Sequence, residues 1–202
     1  MHGDICAICC GTERENTVRC PLDCEYLIEA RRHEKSVPVD VTKVPNRDVE
    51  VTEEFLHEHD PLLALMSAII YAGAKKTEGS TDRDVREALE ATIKTLRTAQ
   101  SGLIYETRPE NPYAAEIQEF IKSRLDQFRE AMAKEQGMTT LRDAEVLGVL
   151  VFLQRLAIHW DNGRPLGRSF LSFLHARHTE APPSDAPEES DLTGGDSPLI
   201  VG

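Results

Sequence analysis

From Thr52 to His178 the apolar residues recur every three or four positions, the spacing that lines one face of an α-helix. Thr52 followed by Glu53 and Glu54 reads as an N-cap with acids in the first turn, facing the positive end of the helix dipole. Pro61 divides this stretch, and Leu62, Leu63, Leu65, Met66, Ile69 and Ile70 carry an apolar face to about Gly73. A second helix is predicted over 80–101, capped by Thr81, with Val85, Leu89, Ile93 and Leu96 on one side. Residues 105–112, with Pro109 and Pro112, read as a loop. A third helix over 112–134 carries Ile117, Phe120, Ile121, Leu125 and Phe128 and stops at Gly137.

Thr140 to Asp143 has the spacing of a capping box. The helix it opens runs to about Trp160 and is apolar around more of its circumference than the others, which makes it the expected central helix. Asn162 and Gly163 end it. A last helix is predicted from Pro165 to His178, with Leu166, Phe170, Leu171, Phe173 and Leu174 as its apolar side. The fold class expected is therefore mainly α, with a bundle of five or six helices over residues 52–178.

The remaining segments break this period. Residues 36–51 alternate valine with polar residues around two prolines and read as a connector. Residues 179–202 are rich in Pro, Ser, Gly and acids, and read as a disordered tail. That tail holds six acidic residues and no Lys or Arg, half of the net charge of −12. Its apolar tip, Pro198-Leu199-Ile200-Val201, could enter a partner's groove while the acids extend the tether. A pI near 5.0 argues against wrapping nucleic-acid phosphates, which requires Lys and Arg. No apolar run reaches the ~18 residues of a membrane span, and the first five residues lack the pattern of a signal peptide. The expected location is cytoplasmic.

The chemistry concentrates at the start. All five cysteines, Cys6, Cys9, Cys10, Cys20 and Cys24, fall between positions 6 and 24. A disulfide framework belongs to exported chains and spreads through a fold, so this clustering points to metal or redox chemistry in a module over residues 1–35. Cys6-x2-Cys9 supplies two thiolates on one short turn, with Gly11 suited to a tight knuckle. Residues 12–19 can form a hairpin, with Asn16 in its left-handed position. Pro21 suits the first turn of a helix that places Cys20 and Cys24 one turn apart, and Glu25 to Lys35 continues as a short amphipathic helix. The expected ligands are Cys6, Cys9, Cys20 and Cys24 around a structural zinc, with Cys10 as an alternative ligand or a free thiol. A [4Fe–4S] cluster takes the same four thiolates and stands as the alternative cofactor.

Knuckle, hairpin and helix start resemble a treble-clef zinc finger over residues 5–30. The Cys-x3-Cys second pair departs from that pattern. The segments Cys6 to Thr12 and Cys20 to Leu27 also resemble those of small bacterial proteins of no assigned activity, which implies a metal site and nothing further. Two other clusters are weighed. His57, His59 and Asp60 read as a solvated turn, because residues two apart on a helix cannot share a metal. Arg164 and Arg168, near His159 and Trp160, could recognise an anion bidentately or could simply border a helix end. No phosphate loop, nucleophile elbow or dinucleotide fingerprint occurs. Two functions are open: a zinc-bound interaction or scaffold protein using the finger or the tail, and a redox sensor or enzyme using an iron–sulfur cluster or Cys10.

Overall fold

A computed structural model describes residues 6–33, 44–136 and 141–179. Over these the chain is mainly helical, with eight helices. Two short ones belong to the cysteine segment, α1 (Ala7–Glu13) and α2 (Glu25–Arg32). Six form the bundle: α3 (Glu53–Glu58), α4 (Asp60–Lys76), α5 (Asp82–Gln100), α6 (Pro112–Gln136), α7 (Asp143–His159) and α8 (Ser169–Thr179). The tail from 180 onward, connector residues 36–43, and both Gly137 and Thr140 lie outside the described residues.

Packing follows the apolar periods. α5 lies between α6 and α7, and α4 packs on α6, α7 and α8. Ile117, Ile121 and Leu125 of α6 are buried, as are Val85, Leu89 and Ile93 of α5. α7 is buried around most of its circumference, from Val146 through Leu153 to Ala157. Each fully buried aliphatic side chain contributes roughly 1.5–3 kcal/mol through loss of water contact. No described helix is long and apolar enough to cross a membrane.

Helix ends differ from expectation where tertiary contacts intervene. α4 runs past Gly73 to Lys76, because Gly73 is where the Phe120 ring packs; a Cβ there would sit 3.0 Å from Phe120 Cδ1. The capping box of α7 lies two residues later than expected, with the Arg142 N–H donating to Glu145 Oε2 at 3.1 Å. α8 starts at Ser169 and not Pro165. Its first amides, Phe170 N–H and Leu171 N–H, donate to the buried Asp82 carboxylate at 2.9 and 3.0 Å. Residues 161–168 are thereby left as a loop that meets the cysteine segment.

The connector is fastened from below. Arg155, only 1% exposed in the middle of α7, donates to the carbonyls of Asn46 and Val49 at 2.7 and 2.9 Å. Gln154 accepts from the Asn46 side chain at 2.8 Å, and Arg97 donates to the same Asn46 at 2.6 Å. Val44 and Val51 are buried on either side of this turn.

Candidate metal centre

The first thiols do not form a knuckle. Cys6 is the N-cap of α1, Cys9 and Cys10 are helical, and the Cys10 N–H donates to Cys6 O at 2.8 Å. Gly11 is inside that helix, with open space around it, so no tight turn requires a glycine there. The Cys9 N–H donates to Cys6 Sγ at 3.3 Å. The Cys9 thiol and amide hold the Cys6 thiol below its ordinary value, and the contact with Cys6 pushes the Cys9 thiol up. Cys6 and Cys9 are exposed, whereas Cys10 is half-buried.

α1 ends in a tight loop closed by Glu15 N–H to Val18 O at 3.0 Å. The left-handed residue of this loop is Glu15, at φ 55°, and not Asn16. The contacts of its side chain explain why an unfavoured residue sits there. The fully buried Glu15 carboxylate accepts from Arg31 Nη2 at 2.6 Å, Asn162 Nδ2 at 2.8 Å and the Arg168 amide at 2.8 Å. Its carbonyl accepts from the Leu166 N–H at 2.8 Å.

Cys20 follows and is buried. Burial pushes its thiol up, the Glu15 amide draws it down, and the charges of Cys24, Glu15 and Cys10 push it further up. Pro21 to Asp23 form a turn, closed by Cys24 N–H to Pro21 O at 3.2 Å, so the expected helix begins only at Glu25 with Cys24 as its N-cap. Leu27, 1% exposed, anchors α2 beneath this turn.

The structure thus sets the thiols in two neighbourhoods. Cys6 and Cys9 touch each other; Cys10, Cys20 and Cys24 lie within electrostatic reach. Among the described residues no group of three or more His, Cys, Asp or Glu side chains is close enough to hold an ion. The surroundings nonetheless suit thiolates. Arg14 Nη2 lies 3.8 Å from Cys10 Sγ, and Arg168 Nη1 donates to Cys20 O at 3.3 Å. The Nε atoms of Arg14, Arg31 and Arg168 and Nη1 of Arg31 are buried without a partner. Glu15 and Asp82 lie near Arg31 and Arg168, and burial pushes the Asp82 carboxyl up to about 7 despite its two amide bonds and Arg31. Each of these arginines has another contact, Arg31 with Glu15, Arg14 with Cys10 and Arg168 with Cys20 O, and nearby negative charge would suit the nitrogens left over.

Arg164 and Arg168, read as a candidate anion site, both reach toward the cysteine segment. Arg164 Nη1 donates to Arg14 O at 2.8 Å, so both arginines bind the cysteine segment. His59 stacks on Phe55 at 4.3 Å and its Nδ1 lies 2.8 Å from Phe55 O, apart from any ligand set. Trp160 stacks on Phe173 at 5.1 Å. Glu15, Arg31 and Asp82 escaped the sequence pattern. Their only signal is charge in a loop, on a short helix and in a helix first turn, which is where charges are ordinarily solvated. Comparison with family models, with curated proteins and with solved structures gives no match.

Proposed function

We propose that residues 6–33 form a metal-stabilised interaction module, held on the helical bundle as a scaffold, with zinc as its ion. The thiol donors and the guanidinium nitrogens without a partner around them support the ion; Cys6, Cys9, Cys20 and Cys24 would hold it, with Cys10 in reserve. A structural zinc contributes folding energy and carries no chemistry of its own. The two thiol neighbourhoods would then be drawn together by the ion.

One observation carries the interaction role. Nine large apolar side chains are exposed among the described residues, and four of them, Ile8 (80%), Val18, Tyr26 (76%) and Ile28, belong to this short segment. Exposed apolar side chains concentrated on one small unit mark a surface for a protein partner. The acidic tail adds a second arm, and the overall negative charge disfavours nucleic acid.

The test is affinity capture from the source cells with the wild-type chain and with an Ile8→Asp/Tyr26→Asp double variant. Both side chains are exposed, so the variant should keep its stability within about 0.5 kcal/mol while losing a partner that the wild type retains. Identical captures from the two would reject the role.

The direct contact of the exposed Cys6 and Cys9 favours a second reading, a reversible dithiol pair. It requires a disulfide between these two residues after mild oxidation of the native chain, and full retention of free thiols would dismiss it.

A further inference from the structure

We propose that the cleft walled by α5, α7 and the Pro45-Asn46 turn binds a small organic carboxylate with an apolar body. The site lies apart from the cysteine segment and does not depend on the metal reading.

The cleft has a volume of about 450 Å³, within the ~300–1,000 Å³ that small-molecule sites occupy. Pro45, Ile93 of α5 and Ile158 of α7 supply its apolar walls. Three cations line it, Arg83, Arg86 and Lys94, against two carboxylates, Glu87 and Glu90, in a chain whose net charge is −12. Positive charge gathered at one cleft of an acidic protein favours an anion there. The bonds these cations now make leave them able to meet one. Arg83 and Lys94 pair with Glu87 and Glu90 at 2.9 and 2.6 Å, largely exposed i,i+4 pairs of a kind that contributes little in water. Arg86 is more buried and is held by Asp161 through Nη1 alone, which orients its fork and leaves further N–H groups for a bidentate carboxylate. Gln154, 5% exposed, lines the cleft from α7; its Oε1 accepts from the Asn46 side chain at 2.8 Å, so Nε2 is the donor left for a ligand.

The wall formed by Pro45 and Asn46 is held by polar contacts that the core does not require. Asn46 is left-handed, at φ 53°, a conformation that asparagine tolerates better than most residues. Arg97 donates to its side chain at 2.6 Å, and the buried Arg155 donates to its carbonyl at 2.7 Å from within α7. Placing a guanidinium inside an apolar helix is costly. What it secures is a fixed turn over the groove between α5 and α7, the pre-organisation that binding rewards.

Amide NMR of the isotope-labelled full chain tests the site, with hexanoate and phenylacetate as probes and hexanamide, phenylacetamide and inorganic phosphate as comparators. Both carboxylates should give saturable shifts centred on Asn46, Arg86, Gln154 and Ile158. The amides and phosphate should bind at least about ten-fold more weakly, the loss expected when a charged hydrogen bond or the apolar contact is missing. Arg86→Met should cost at least about ten-fold in carboxylate affinity. Arg83→Met and Lys94→Met replace exposed side chains, so each should keep the native spectrum while binding several-fold more weakly. Lys122→Met, outside the cleft, should bind as the wild type does. Shifts that fail to saturate or that centre elsewhere overturn the proposal. So do amides or phosphate that match the carboxylates, and so does wild-type affinity in all three cleft variants.

Discussion

Gly148 and Asp82 show how single positions are fixed by neighbours distant in sequence. A Cβ at Gly148 would lie 2.5 Å from Phe55 Cζ, so α7 admits the α3 ring only because no side chain intervenes. Gly148→Ala should destabilise the chain by about 1–3 kcal/mol in urea unfolding despite alanine's better helix propensity, since overpacking outweighs it. Asp82 titrates in the opposite sense to most acids. Its carboxyl rises from an ordinary 3.8 to about 7, so between those values the folded chain holds a proton that the unfolded chain has released. That contribution is complete below about pH 4 and is lost as pH rises to about 7. Stability measured across this range should fall with pH in the wild type and fall less steeply in Asp82→Asn, which keeps an oxygen for the α8 amides. Equal slopes would show that Asp82 stays ionised throughout. Neither position was legible in the pattern, where Gly148 passes for a weak helical residue and Asp82 for a first-turn acid.

Among the elements, legibility tracked apolar periodicity. Faces such as Val85, Leu89 and Ile93 or Ile117, Ile121 and Leu125 are buried as their spacing required, because burial of one stripe is what makes these helices form. Elements governed by polar contacts were read less well. The knuckle expected at Cys6 to Gly11 is helical, and the turn that matters lies at Glu15, whose buried partners come from residues 162–168. Arg155 is a similar case: its place within an apolar helix gives no hint that it holds the carbonyls of the 45–49 turn. Arg155→Met should preserve the packing of the stem and leave those carbonyls unpaired, at a loss of about 2–4 kcal/mol in thermal or urea unfolding. A neutral result would mean that water replaces the guanidinium without penalty.

At the scale of the molecule, two units of different character meet where the Glu15 loop is bound by Asn162, Arg164, Leu166 and Arg168. The bundle buries a continuous apolar core, while the cysteine segment has few buried side chains, chiefly Cys20 and Leu27, and relies on Glu15 to bind it to the 161–168 loop. Removing one partner of such a buried pair costs on the order of 3 kcal/mol. Glu15→Ala should therefore accelerate hydrogen exchange across residues 6–33 while α4 to α7 keep their protection; uniform acceleration would mean that the two units unfold together. A segment so poor in core needs a further source of stability, which the proposed ion would supply. The junction stayed hidden because it joins residues about 150 positions apart, across which no local period extends.

Metal analysis of the reduced, full-length chain purified without oxygen tests the central claim most directly. One zinc per chain, removed only by strong chelators and lost in Cys20→Ser, is the result expected. A metal-free wild-type chain with five reactive thiols, or a brown one absorbing near ~400 nm, would contradict it.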